Sequence, residues 1–138
     1  MRHKRSTILF VCRENACRSQ MAEGFARFYG KDTIEVWSAG STPRGAVDPG
    51  VVTVMQEEGV ELHDQRSKGL AQLPHMTWDI VVSMGCGEQC PAIPSRHRFE
   101  WNIPDPKGQP LERYRSVRDM IKDSVKNLLV HLSDLVER

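Results

Sequence analysis

The run Thr7-Ile8-Leu9-Phe10-Val11 stops at Cys12, and six residues further on, at Arg18, a helical pattern begins. A short β-branched and aromatic run without polar alternation marks a strand buried on both faces, as in a parallel sheet. From Arg18 to Tyr29 the residues Met21, Phe25, Phe28 and Tyr29 recur at i, i+4, i+7 and i+8, a stripe suited to packing on that sheet, and Gly30 supplies the stop. Parallel neighbours cannot be joined by a tight hairpin, so a strand–loop–helix opening steers the chain toward an alternating α/β architecture.

The rest of the chain keeps the alternation. Ile34 to Ala39 reads as a second strand and Gly40 to Arg44 as a turn. Asp48 then caps a helix with Pro49 in its first position, Val51, Val52 and Met55 inward and Gly59 at its end. Asp79 to Met84 is another buried-strand run, followed at once by Gly85-Cys86-Gly87. Residues 91 to 110 hold Pro91, Pro94, Pro104, Pro106 and Pro110, so they are expected to be mostly loop, with a short strand around Arg98 to Trp101. A long helix is expected to close the chain, with Val117, Met120, Ile121, Val125, Leu128, Leu132, Leu135 and Val136 at three-and-four spacing.

At 138 residues the chain suits one domain, residues 1–138. Nineteen lysines and arginines against eighteen acids give a net charge of +1, with no field to gather nucleic acid or an anionic membrane. The basic start Met1-Arg2-His3-Lys4-Arg5 precedes an apolar run of only Ile8 to Val11, too short for a secretory leader, and nothing approaches the roughly 20 apolar residues of a membrane span. A cytoplasmic monomer is expected. In that compartment thiols stay reduced, so the two close pairs Cys12/Cys17 and Cys86/Cys90 point to catalysis or metal binding rather than structural disulfides.

Cys12-Arg13-Glu14-Asn15-Ala16-Cys17-Arg18-Ser19 sets a cysteine six residues before an arginine, between a buried strand and a helix, with no proline in the loop. Cys90 and Arg96 repeat the spacing, but Pro91 and Pro94 between them lack the backbone N–H groups an anion cradle needs. Around Cys12, the amides of residues 13 to 18 and the positive end of the following helix would form a concave site for a tetrahedral oxyanion, closed by a bidentate Arg18. The same field favours a nucleophilic thiolate at Cys12, to which Ser19 can donate a hydrogen bond. In open α/β sheets ligands bind beyond the carboxyl ends of strands, where both Cys12 and Cys86 fall.

Val11-Cys12 through Asn15, with Cys17-Arg18-Ser19-Gln20-Met21-Ala22-Glu23-Gly24, resembles the phosphate loop of the low-molecular-weight protein tyrosine phosphatase fold, most closely its arsenate reductase branch. Ser38-Ala39-Gly40 and Asp105-Pro106 match further landmarks of that family. The resemblance implies a single α/β domain with a four-stranded parallel sheet flanked by helices, and arsenate as substrate without cofactor or metal. It further implies Cys12 as the thiolate that attacks arsenic, residues 13–19 as the oxyanion cradle, and Asp105 as the acid that protonates the departing oxygen. A second thiolate, Cys86, would then attack Cys12, and Cys90 would attack Cys86, leaving a disulfide for thioredoxin or a similar dithiol to reduce. Cys17 belongs to the loop and is expected to pack rather than react.

The chain also departs from the family pattern. Glu14 stands where glycine is usual. Lys68 takes the place of an aspartate that, with residues matching Asn15, Glu23 and Ser38, binds a cation in the best-known branch; its ammonium would substitute for that ion. Cys86 and Cys90 are closer together than the relay cysteines of that branch, and Lys107-Gly108 replaces the tyrosines that phosphatases carry after the acid. A protein tyrosine phosphatase is the rival enzyme, since loop and acid would serve it unchanged. A four-cysteine zinc module is the rival of another class, although its C-x4-C and C-x3-C spacings differ from the common C-x2-C.

Overall fold

The computed structural model describes residues 5–85 and 93–136. Its strands are β1 (Ser6–Cys12), β2 (Ile34–Gly40), β3 (Trp78–Ser83) and β4 (Ser95–Glu100), and its helices are α1 (Arg18–Gly30), α2 (Pro49–Gln56), α3 (Leu111–Val130) and α4 (Leu132–Val136). All strand pairs are parallel and the sheet order is β2-β1-β3-β4. The four-stranded parallel sheet flanked by helices is therefore as expected. Because β1 and β3 are central, both faces of each are covered, which is why their sequences are continuously apolar.

Ile8, Phe10, Ile80 and Val82 face a core completed by Met21 and Phe25 of α1, Val51 and Met55 of α2, and Val117, Ile121 and Val125 of α3. Leu9, Val11 and Val81 face the other way, where Leu70, Leu73 and Met76 cover them from a loop. Asp48 caps α2 by accepting from the Gly50 amide at 2.8 Å, with Pro49 in the first turn. No helix among the described residues is long and apolar enough to cross a membrane.

Several boundaries and faces differ from the sequence reading. The edge strand is Ser95–Glu100 rather than Arg98 to Trp101; its outward Arg96, Arg98 and Glu100 alternate with half-buried Ser95, His97 and Phe99, a pattern short of apolar residues. In α1 all of Arg18 to Ala26 are buried; Met21 and Phe25 of the expected stripe pack in the core, whereas Phe28 (45% exposed) and Tyr29 (38%) project to solvent. In α2 the third inward residue is Val54, with Val52 only half buried. The closing helix is interrupted at His131, which leaves helical geometry while its imidazole bonds the Asn127 carbonyl at 2.9 Å, and Met120 is exposed.

Candidate active site

The loop between β1 and α1 is held by its carbonyls. Arg13 O accepts from the Thr42 amide (2.8 Å), Glu14 O from the Arg44 amide (3.1 Å) and Ser67 Oγ (2.9 Å), Asn15 O from Gln20 Nε2 (2.9 Å), and Ala16 O from the Asp48 amide (3.0 Å). In a planar trans peptide the C=O and the next N–H point in opposite directions. Four successive carbonyls tied to the scaffold therefore turn the amides of residues 14 to 17 toward the opposite, concave side, where the N-terminus of α1 adds its own field.

Asn15 supports the bend. Its φ of 51° lies in the left-handed region, which asparagine tolerates better than most residues. Its Nδ2 donates to Ser19 Oγ (2.7 Å) and Ser38 Oγ (2.9 Å), while its Oδ1 accepts from the Lys68 amide (2.7 Å) and Gln20 Nε2 (2.9 Å). Since Asn15 already donates to Ser19 Oγ, the hydroxyl proton is free to point at Cys12 Sγ, 2.9 Å away. Ser38 in turn donates to Glu23, whose carboxylate meets Arg27 and, at 3.7 Å, Lys68 Nζ. A continuous polar chain thus runs from Lys68 through Glu23, Ser38, Asn15 and Ser19 to the thiol. Gln65, which donates to Gln20 Oε1 at 2.7 Å, has no distinguishing sequence signal of its own, and its place in this network appears only in the fold.

Arg18 is buried. Its Nη1 donates to the Ile103 carbonyl at 3.1 Å and its Nη2 stands 3.5 Å from Asp105 Oδ2, but its Nε is buried with no hydrogen-bond partner among the described residues. A buried guanidinium with an idle donor is costly unless a ligand takes it up. Gly85 makes the room for it, since a Cβ there would lie 2.3 Å from Arg18 Nη1 and its φ of 76° suits glycine. Cys12, Glu14, Ala16, Cys17, Arg18 and Asp105 line a cavity of about 10 Å³, a space on the scale of a single water.

Asp105 lies between Pro104 and Pro106, its Oδ1 accepting from the Lys107 amide at 3.0 Å. The chain's other Asp-Pro step, Asp48-Pro49, is engaged elsewhere: besides capping α2, Asp48 accepts from the Tyr114 hydroxyl at 2.9 Å and the Cys17 thiol at 3.5 Å. Burial first, and then the Asp48 charge, pushes the Cys17 thiol far above its ordinary range and the Tyr114 phenol up to about 12. Cys17 is thereby kept a neutral packing group. Arg96, of the second cysteine–arginine spacing, sits on β4 with its Nε 3.7 Å from Asp79. Cys86, Gly87 and Cys90 lie outside the described residues. The chain leading to them is anchored beside the site by the Met84 amide, which donates to Val11 O at 2.8 Å.

A thiol at a strand end, a cradle of inward amides and a buried arginine with an idle donor define an oxyanion site on a parallel α/β sheet. The chain belongs to the low molecular weight phosphotyrosine protein phosphatase family, whose profile matches residues 7–138. Among its curated relatives is the glutaredoxin arsenate reductase of Synechocystis sp., 37% identical over 129 residues that cover 91% of this chain and 98% of the relative. Among solved structures, an arsenate reductase in a phosphate-binding state superposes with a TM-score of 0.81 at 35% identity, covering 91% of this chain and 97% of the other. A thioredoxin-dependent arsenate reductase of Corynebacterium glutamicum superposes at 0.80 with 29% identity, covering 96% of this chain and 64% of the other.

Proposed function

We propose that this chain reduces arsenate to arsenite by a three-thiol relay. Cys12 thiolate attacks arsenic, held by the amides of residues 13–19 and by Arg18, while Asp105 protonates the oxygen that leaves as water. Cys86 thiolate then attacks Cys12 sulfur; the sulfur–arsenic bond breaks, the electron pair stays on arsenic, and arsenite departs. Two thiols are oxidised to a Cys12–Cys86 disulfide as As(V) becomes As(III). Cys90 next attacks Cys86, which frees Cys12 and leaves a Cys86–Cys90 disulfide for thioredoxin to reduce. Lys68, 3.7 Å from Glu23, supplies a fixed positive charge beside the cradle in place of a bound cation.

The observation that carries this reading is the idle Nε of buried Arg18, in the wall of a cavity that Cys12 and Asp105 share. The names of the relatives support arsenate, and the anchoring of Met84 to Val11 supports delivery of a second thiol to the first. The test is arsenate-dependent NADPH oxidation with thioredoxin and thioredoxin reductase, run beside a glutathione–glutaredoxin system, on wild type and on Cys12→Ser, Cys86→Ser and Cys90→Ser. Loss of turnover in all three variants with thioredoxin is the expected result. Turnover with glutaredoxin alone would replace the reductant. Hydrolysis of p-nitrophenyl phosphate that needs Cys12 but neither of the other thiols, with no arsenate turnover, would make the protein a phosphatase.

A further inference from the structure

Glu14 is among the residues lining a cavity suited to an anion, and a carboxylate on such a loop is unfavourable for anion binding unless its charge is cancelled. The structure cancels it. Lys107 Nζ donates to Glu14 Oε2 at 2.9 Å, and Arg44 Nη1 approaches Glu14 Oε1 at 4.0 Å. Lys107 is also tied to the acid loop, because its own amide donates to Asp105 Oδ1 at 3.0 Å. The Glu14–Lys107 pair therefore joins the cradle loop to the acid loop, and Glu14 and Asp105, the residues it links, both line the cavity.

We propose that the Glu14–Lys107 ion pair is a specificity strap, which admits free tetrahedral oxyanions and excludes their organic esters. A free ion needs only the space between Cys12, Arg18 and Asp105. An ester must in addition lead its organic group out between the two loops that the strap ties together. Breaking the pair then separates the two ligands: both meet the uncovered Glu14 charge, but only the ester gains an exit that offsets it. Both side chains are partly exposed, so the pair is weak in isolation and open to screening by salt. Its leverage comes from position, because it ties together two loops that supply the site and small displacements there are felt.

The inference rests on the oxyanion-site reading above but not on the thiol relay, and its test uses binding alone. Isothermal titration in a Cys12→Ser background, where no ester is turned over, compares inorganic phosphate with phenyl phosphate for the intact strap, Lys107→Ala, Lys107→Met and Lys107→Arg. The intact strap is expected to prefer phosphate. In Lys107→Ala and Lys107→Met phosphate weakens about fivefold, the scale of one lost surface charge partner, while phenyl phosphate binds at least as tightly as before. Lys107→Arg keeps the preference, and raising KCl erodes the preference only where the pair is present. Equal weakening of both ligands, or an unchanged ratio in both neutral variants, would overturn the strap while leaving arsenate reduction to stand or fall on the coupled assay.

Discussion

Gly40 carries no reactive group, yet it should be among the most sensitive positions of the site. It ends β2, in register with Cys12 at the end of β1. A Cβ at residue 40 would lie 2.7 Å from Arg13 O, 2.8 Å from Asn15 N and 2.9 Å from Glu14 C. All three are backbone atoms of the cradle, so no side-chain rotation can relieve the overlap. To reach ordinary contact at 3.4 Å the loop must back away by about 0.7 Å, in a packed interior that yields little. Overpacking of this kind costs about 1–3 kcal/mol. It also displaces the amides from the position an oxyanion would occupy, and a misplacement near 1 Å can cost about 100-fold in rate. Gly40→Ala is therefore expected to bind phosphate about 10- to 100-fold more weakly by titration, and to lose the rise in melting temperature that saturating phosphate gives the wild type. Gly69→Ala is the control: Gly69 bridges Gly40, but its Cβ would meet side-chain atoms alone, Pro43 Cγ at 3.2 Å, Pro43 Cδ at 3.7 Å and Gln72 Oε1 at 3.9 Å. Wild-type phosphate affinity in Gly40→Ala, with the protein folded, would refute the claim that the cradle's position is set by contact with β2.

Three further outcomes follow from the same geometry. Arg18→Lys replaces a fork whose Nε is free for ligand with a single point of contact, so phosphate affinity by titration should fall at least about tenfold, and a change below about threefold would contradict the two-pronged grip. If Lys68 stands in for a bound cation, replacing KCl by choline chloride at constant ionic strength should leave wild-type turnover unchanged within about twofold, whereas Lys68→Gln should become ion-dependent because Glu23 keeps only Arg27; stimulation of the wild type by potassium would remove that role. Glu57, at the end of α2, accepts from Arg115 and Arg118 of α3, and the Arg115 hydrogen bond leads in holding its carboxyl below the ordinary 4.5. A depressed folded value means the stabilisation is present above 4.5 and is lost as pH falls through that lower value, so urea midpoints of wild type and Glu57→Gln should differ by a constant amount near neutrality and converge in acid. A difference independent of pH would show that the carboxylate's charge is not what matters.

Much of the fold is legible in the sequence because its central elements are governed by burial alone. β1 and β3 are covered on both faces, and continuous apolar runs are the only sequences such strands tolerate. The errors fall where an element is partly wet or wholly enclosed. β4 is an edge strand carrying Arg96, Arg98 and Glu100 outward, so its apolar signal rests on Phe99 and the neighbouring Trp101. The first half of α1 is buried all round, Arg18, Gln20 and Glu23 included, because the site's polar network passes through it. Helical periodicity assumes a wet face and a dry one, and α1 has no wet face until Arg27.

The site was legible to the extent that its residues are neighbours in sequence. Cys12, Asn15, Arg18 and Ser19 lie in one loop, and their geometry follows from a strand, a turn and a helix start. Two charged departures from the family pattern, Glu14 and Lys107, could not be read singly, because each is one half of a pair. Glu14 looks like an error in an anion site until Lys107, 93 residues away, is seen donating to it. Lys107 looks like a missing tyrosine until its amide is found holding Asp105. Lys68, whose ammonium the resemblance already sets in the place of a cation, stands 3.7 Å from Glu23. In each case the unfamiliar charge meets an opposite one brought near by the fold, so the electrostatics of the cradle are kept while the means of keeping them change. A rule for separating enzymes on this scaffold should therefore compare pairs of positions, Glu14 with Lys107 and Lys68 with Glu23, because the cradle sequence between Cys12 and Ser19 would serve either chemistry.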